Sequence, residues 1–459
     1  MGETCPVRRA ALAKPDAPAL RGDDLSWTWR DYDAAVNAAC GGLRRAGVGP
    51  GDRVAVLAAN SPAYAALIFA VLRRGAILAP LNLRRGEAHG HALLSRLDPK
   101  LVCVDAARRD IAADYATLEI ARFPDAPADE AELAPDREAA IVFTSGSGGV
   151  PKGVVLTAGN LLAGAAAANA ALPLAADDGW LLDLPLYHVG GLAILLRAAL
   201  AGCAVRVRDG FAPAAALDDL AAGRVTVLSC VPAMLRALLA ADPEGRILAR
   251  AKAILLGGGA IDPRLLDDAR RMDIRVLPTY GMTEAGSQIH TDGRLLPGME
   301  LRVFEGEIAI RGSAVFTRYL DDGIPTRDAE GWFRTGDLGR LHEDGRLEVL
   351  GRRDEIFVSG GENVHPAEIE KVALEFVGLD ECAVISAPSR RWGRRPVLFA
   401  TPANLDAPAL HVWLSGRLPK LLVPDDVVAV ASLPRLTLGK IDRSALLERY
   451  LDAQDEGGG

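Results

Sequence analysis

Over the first three quarters of the chain, short apolar runs alternate with longer Ala/Leu-rich stretches. Arg53-Val-Ala-Val-Leu-Ala58 predicts a strand; Ser61 and Pro62 then open an apolar helix through Leu72. Ala76-Ile-Leu-Ala-Pro80 and Lys100-Leu-Val-Cys-Val-Asp105 predict further strands. Val225-Thr-Val-Leu-Ser-Cys230 predicts another, with a helix opening at Pro232, and Lys252-Ala-Ile-Leu-Leu256 ends in a glycine cluster. Near-continuous apolar strands alternating with helices predict α/β layers with largely parallel sheets. The pattern changes near residue 300. Met299-Glu-Leu-Arg-Val-Phe304 and Gly306-Glu-Ile-Ala-Ile-Arg311 are short strands one turn apart, which predicts an antiparallel meander or small β-barrel-like part. After Gly351-Arg-Arg-Asp354 the pattern resets to a compact α+β unit. The expected organisation is a large N-terminal domain over 1–351, a short charged hinge at 352–355 and a small mobile C-terminal domain over 356–459.

Composition narrows the class. The chain has 459 residues, half of them hydrophobic and 24% charged, as a globular protein requires. Its net charge of −8 gives no support for generic nucleic-acid or anionic-membrane binding, although a local basic pocket stays compatible with it. The six cysteines are scattered without a CxxC pair, which argues against a zinc site or a disulfide framework. No apolar signal core follows the first residues. Gly153 to Ala176 is uncharged and long enough to span a bilayer, but it is mostly alanine and carries Asn160, Asn169 and Pro173. A buried helix without membrane insertion is expected, in a cytoplasmic protein; the sequence leaves a homo-oligomer open.

The strongest chemical signal is Thr144-Ser-Gly-Ser-Gly-Gly-Val-Pro-Lys-Gly153 after the strand-like Ala139–Phe143. Its glycines allow backbone N–H groups to point inward at an anion, its hydroxyls add donors, and Lys152 adds a charge. That is what holding a triphosphate requires. It is not a Walker loop, because Gly153 follows the lysine. Taken singly, the same residues would also make a solvent-exposed turn. In Thr279-Tyr-Gly-Met-Thr-Glu284, Tyr280 suits stacking on a base, while Thr283 and Glu284 suit a phosphate oxygen and a magnesium ion. Thr283 alone reads equally as a helix cap. Gly331-Trp-Phe-Arg-Thr-Gly-Asp-Leu-Gly339 places the carboxylate of Asp337 after a turn, where it suits two vicinal ribose hydroxyls. Two further blocks follow, from Gly351 to Glu370 and Leu436-Thr-Leu-Gly-Lys440.

In order and spacing these five blocks resemble the acyl-adenylate-forming superfamily of acyl-CoA synthetases, adenylation domains and luciferases, from about residue 20 to 445. The resemblance implies that a carboxylic acid and ATP give acyl-AMP and pyrophosphate, after which CoA gives the thioester and AMP. It implies that Thr144, Ser145, Gly146, Ser147, Gly149 and Lys152 cradle the β,γ-phosphates, that Thr283 meets the α-phosphate and that Glu284 binds Mg²⁺. Asp337 and Arg352 would hold the ribose. Gly258, Gly259, Ala260, Tyr280 and Gly281 would frame adenine. Lys440 would neutralise charge during adenylation. Asp354 would be the hinge residue, and Gly361 would line the CoA tunnel. Two departures are Gly148, where the family usually has Thr or Ser, and Asn363, where many acetyl-type relatives carry arginine.

Leu184-Pro-Leu-Tyr-His-Val-Gly-Gly-Leu-Ala-Ile-Leu-Leu-Arg197 is similar to a narrower group, the o-succinylbenzoate–CoA ligases of menaquinone biosynthesis, in which the substrate-side His stands nine residues before a basic residue. His188 and Arg197 keep that spacing and become the expected acid-binding residues. The physics agrees: a guanidinium in an apolar helix-like run is costly without an anion, and this acid has a second carboxylate to offer it. The competing reading is an Arg197 that snorkels to the surface. Another small-acid or aryl-acid CoA ligase fits the same motifs. A non-catalytic nucleotide-binding relative is the alternative outside enzymes, and intact Glu284, Asp337 and Lys440 argue against it.

Overall fold

The computed structural model describes residues 3–82, 86–120, 123, 132–144, 151–436 and 440–457. The chain divides into two compact units, Met1–Glu300 with Ile310–Phe333, and Leu301–Ala309 with Arg334–Gly459.

Two large sheets build the first unit. One has the order Arg318–Tyr319, Lys152–Thr157, Glu138–Thr144, Ile77–Pro80, Arg53–Leu57, Leu101–Val104, Thr117–Glu119. The other has the order Arg294–Leu295, Ser287–Thr291, Val276–Met282, Ala253–Leu256, Val227–Cys230, Gly179–Leu182, Ala204–Val207, Pro18–Arg21, Ser26–Thr28. In both the centre is parallel and the antiparallel pairs lie toward the edges. The strands expected near 53, 77, 101, 227 and 253 are all present, each within two residues of its expected bounds. Central parallel strands are covered on both faces, so their sequences are apolar throughout and easy to recognise. Ser61 caps the helix Pro62–Arg73 through its Oγ, which accepts the Tyr64 N–H at 3.1 Å.

The uncharged segment from Gly153 is two elements, not one. Its first residues belong to the strand Lys152–Thr157, and a capping box of Thr157 and Asn160 then starts the helix Ala158–Ala171. Among the described residues no helix is long and apolar enough to cross a membrane.

The β-rich part near residue 300 is a four-stranded sheet in the order Met299–Phe304, Glu307–Gly312, Phe333–Leu341, Leu347–Arg352. No pairing between its outer strands closes it into a barrel among the described residues. The second unit also holds a hairpin of Phe357–Ser359 with Glu362–Val364, and a three-stranded sheet of Glu381–Ser389, Gly393–Thr401 and Asp426–Ala429. The helices Pro366–Ala373 and Ala407–Ser415 pack Ile369, Ala373, Leu410 and Leu414 into one apolar cluster with Val384 and Leu398 of that sheet.

Candidate functional site

The loop expected to cradle phosphate joins two antiparallel strands, with Thr144 opposite Lys152. The Thr144 hydroxyl donates to the Lys152 carbonyl at 3.4 Å, which ties the loop's ends together. Ser145, Gly146, Ser147, Gly148 and Gly149 lie outside the described residues. Arg96 anchors the far end: its Nη1 donates to the Pro151 carbonyl at 2.8 Å, and its guanidinium lies 5.7 Å from the Phe143 ring centre. Lys152 places its ammonium 5.6 Å from the centre of the Tyr319 ring.

Tyr319 links that lysine to Glu284. Its hydroxyl donates to Glu284 Oε1 at 3.0 Å. Glu284 itself is set by a tight turn, in which the strand Val276–Met282 passes into a short 3₁₀ segment, Thr283–Ala285. The Phe316 N–H donates to the Glu284 carbonyl at 2.7 Å. Gly281 is required here, because a Cβ would lie 1.9 Å from the Ser287 carbonyl oxygen. Lys152, Tyr319 and Glu284 are thus one connected group. Tyr319 carried no signal in the sequence; it belongs to a two-residue strand that pairs with the lysine's own strand at Val154.

Tyr280 stands opposite His290 in an antiparallel pair. Its neighbour Thr279 donates through Oγ1 to the Leu256 carbonyl at 3.2 Å, which fixes the turn of Gly258, Gly259 and Ala260 beside it. Those three residues are exposed, so their backbone is open to a ligand. Among the described residues no group of three or more His, Cys, Asp or Glu could cage a metal. A half-buried Glu284 with one oxygen held by Tyr319 does fit magnesium, which takes one or two carboxylates and completes its shell with phosphate and water.

His188 is half-buried at the N-cap of the helix Val189–Ala201. Arg197 lies nine residues on, roughly 13 Å along the helix axis. Arg197 is only 3% exposed, which excludes snorkelling. Its Nε and Nη2 have no hydrogen-bond partner among the described residues, and the Trp180 ring centre is 5.8 Å away. Burial pushes its pKa down to about 10.

One buried acid escaped the sequence reading. Asp183, just past the strand Gly179–Leu182, is 4% exposed and lines a cavity of about 250 Å³ with Asn60, Pro185 and Tyr187. Its Oδ1 has no partner among the described residues, and burial pushes its carboxyl up to about 7, against lowering by backbone N–H groups and Arg208. The fold therefore keeps a proton that the unfolded chain releases near the ordinary value of 3.8. The stability this contributes in acid is lost as pH rises through about 7. Thermal unfolding should show the protein losing stability relative to Asp183→Asn between about pH 4 and pH 7, with no further relative loss above that; parallel curves over this range would mean a carboxyl that titrates as it does in the unfolded chain.

In the second unit, Asp337 and Arg352 face each other across a hairpin, and Arg352 Nη1 donates to Asp337 Oδ1 at 3.0 Å. Arg352 also grips Asp354 with a fork, Nε to Oδ1 at 3.0 Å and Nη2 to Oδ2 at 3.2 Å. Burial alone would lower the Arg352 pKa, but the Asp354 and Asp337 carboxylates hold it above its ordinary value. Gly361 is exposed at the turn of the hairpin Phe357–Val364 with φ +93°, and Asn363 on the same hairpin is exposed. Lys440 is exposed, and its carbonyl accepts the Leu436 N–H at 2.7 Å. Thr437, Leu438 and Gly439 lie outside the described residues.

Residues 7–320 match the family of AMP-binding enzymes, and residues 368–440 match the AMP-binding enzyme C-terminal domain. The chain is 33% identical to a 2-succinylbenzoate–CoA ligase of Listeria monocytogenes serotype 4b (strain F2365), over 97% of this chain and 99% of that one. It is also 33% identical to a feruloyl-CoA synthase of an Amycolatopsis species, over 97% and 98%. Among solved structures it is similar to o-succinylbenzoate CoA synthetase from Bacillus subtilis in complex with the acyl-adenylate intermediate, with TM-score 0.89 and 28% identity over 97% and 98% of the two chains. The complex of that enzyme with ATP and magnesium ion matches at TM-score 0.89 and 27% identity, over 98% and 100%.

Proposed function

The chain belongs to the AMP-binding enzyme family, and we propose that the acid it activates is 2-succinylbenzoate. It is an AMP-forming acid–CoA ligase that uses ATP, Mg²⁺ and CoA. In the first step a carboxylate oxygen attacks the α-phosphorus, the bond to the bridging oxygen breaks, and pyrophosphate leaves. In the second the CoA sulfur attacks the acyl carbon, AMP leaves, and the thiol proton is released. Both steps depend on positioning and on neutralising charge on phosphate.

In this proposal the loop from Thr144 to Lys152 holds the β,γ-phosphates, and Thr283 meets the α-phosphate. Tyr280 and the Gly258–Ala260 turn frame adenine, and Asp337 takes the ribose hydroxyls with Arg352 restraining its carboxylate. Glu284, oriented by Tyr319, would hold the magnesium ion. Bound magnesium supplies charge neutralisation at phosphate. Lys440 acts in adenylation, and the C-terminal part turns about Asp354 to bring the 359–363 loop to the thiol. The Arg352 fork on Asp354 supports a hinge at 352–355, with 1–351 and 356–459 on either side. We place the protein in the cytoplasm, where CoA and ATP are available.

Arg197 carries the acid assignment. A fully buried guanidinium without an anion is unfavourable, and an aromatic acid with a second carboxylate supplies one. A monocarboxylic aryl acid, such as the feruloyl group named in one relative, leaves that guanidinium unpaired once its only carboxylate is activated. Arg197→Ala should therefore cost roughly 2–5 kcal/mol with 2-succinylbenzoate. A monocarboxylic analogue without the ring carboxylate should be unaffected, and ATP affinity should hardly change. Steady-state assays with both acids decide it: an equal loss for the two acids removes the 2-succinylbenzoate assignment and leaves the ligase.

A further inference from the structure

Asn160 does more than start its helix. It is buried in the first turn of Ala158–Ala171, directly after the strand that opens at Lys152. Its Oδ1 accepts the Thr157 N–H at 3.0 Å and so completes the capping box. A carboxylate does that job equally well: in the helix Trp29–Arg45 the same place in the box of Thr28 is held by Asp31. What asparagine adds is an amide NH₂. Asn160 Nδ2 donates to the Ser313 carbonyl at 2.8 Å and to the Val315 carbonyl at 3.0 Å. Both hydrogens and the oxygen of the amide are therefore in use.

The acceptors lie between the strands Glu307–Gly312 and Arg318–Tyr319 and belong to neither, yet Ala314, Val315 and Phe316 are buried. Arg327 grips the same segment, donating through Nη2 to the carbonyls of Val315 and Phe316. From there the chain reaches Glu284 twice. The Phe316 N–H donates to the Glu284 carbonyl at 2.7 Å, and three residues on the Tyr319 hydroxyl donates to Glu284 Oε1 at 3.0 Å. The helix also packs on the turn that carries Glu284. A Cβ at Gly164 would lie 3.7 Å from the Ala285 carbonyl oxygen, and one at Gly286 would lie 3.7 Å from the Asn160 carbonyl oxygen.

We propose that Asn160 and Arg327 are positioning residues for the metal: by fixing residues 313–316 they set Glu284 and Tyr319 against Lys152. This rests on the reading of Glu284 as the magnesium ligand. Magnesium demands near-ideal octahedral geometry, so a carboxylate that drifts with its backbone holds it poorly. Residues 313–316 govern both the main chain of Glu284 and the hydroxyl that orients its carboxylate, so loosening them disturbs the two together. Buried carbonyls need partners for folding alone, and the test has to separate that role from this one.

The measurement is calorimetry of ATP binding with and without magnesium and without acid, so no turnover enters it. The gain in ATP affinity that magnesium brings should shrink roughly tenfold in Asn160→Ala, the lower end of what groups behind a metal ligand cost. Asn160→Asp keeps the oxygen of the capping box and removes both donors, and it should show the same loss. ATP affinity without magnesium should stay at the parent value in both. Thr157→Ala breaks the same box from its other side and leaves the two donations in place; it should lower the unfolding temperature and keep the full magnesium gain. Asn160→Ala should add little to Glu284→Gln in the double variant, because it acts through that carboxylate. Arg327 is exposed, and Arg327→Ala takes over the test if neither Asn160 variant folds. Asn160 variants, or Arg327→Ala in their place, that unfold earlier but keep the parent's magnesium gain overturn the proposal, as does a double variant whose losses multiply. A Glu284→Gln protein with the full magnesium gain would instead remove Glu284 from the metal site, and this proposal with it.

Discussion

Replacing Lys440 by alanine is expected to slow acyl-adenylate formation by roughly 10²–10³-fold, the loss usual when a donor aimed at developing charge is removed. Thioester formation from supplied acyl-adenylate should stay within about threefold of the parent protein. In the proposed sequence negative charge builds on the α-phosphate only in the first step, and Lys440 is needed only then. The side chain is exposed, and its own backbone is held by a hydrogen bond from the Leu436 N–H to the Lys440 carbonyl and by a bridge between Arg435 and Ile441. Trimming it removes no packed atoms, so folding should be unaffected. ATP–pyrophosphate exchange reads the first half-reaction, and loss of free thiol reads the second. An equal fall in both would mean that Lys440 serves both steps, and domain alternation about Asp354 would have to be abandoned.

What the sequence makes legible follows from how much of the signal is local. Strands such as Arg53–Leu57 and Ala253–Leu256 are apolar on both faces and bounded by turn residues, so they can be read directly. The glycines at 257–259 and 281 mark backbone positions that allow close approach, and they point to the nucleotide residues around them. Pairings between distant segments leave no such trace. Pro18–Arg21 joins the second sheet beside Ala204–Val207, and the two-residue strand Arg318–Tyr319 joins the first beside Lys152–Thr157. Neither is long enough to show a period. Tyr319 is hidden for that reason, although it touches both Lys152 and Glu284. Asp183 is hidden differently: a carboxyl after an apolar strand reads as a turn residue, and only the surrounding protein shows it to be buried. The grouping of 301–309 with residues after 333 also comes from long-range pairing rather than from local pattern. The burial of Arg197, by contrast, was foreshadowed by its place in an apolar helix.

Glu284→Gln should produce the other large effect. The amide has the same shape, and its oxygen can still accept the Tyr319 hydroxyl, so the turn Thr283–Ala285 and the Phe316 contact should persist. What disappears is the negative charge that a hard cation prefers. Turnover at saturating ATP should fall by at least roughly 10–100-fold at limiting magnesium, the scale on which metal affinity responds to changes close to a site. Raising the magnesium concentration should recover part of that loss, whereas a defect in adenine or acid binding would not respond to the metal. Tyr319→Phe separates the two contributions to this group. It removes the hydroxyl that orients Glu284 and keeps both the carboxylate charge and the ring beneath Lys152, so its magnesium dependence should shift less than that of Glu284→Gln. Activity against magnesium concentration for the three proteins orders these effects. Full activity of Glu284→Gln at limiting magnesium would take Glu284 out of the metal site, and its bond from Tyr319 would then be a structural contact of the turn.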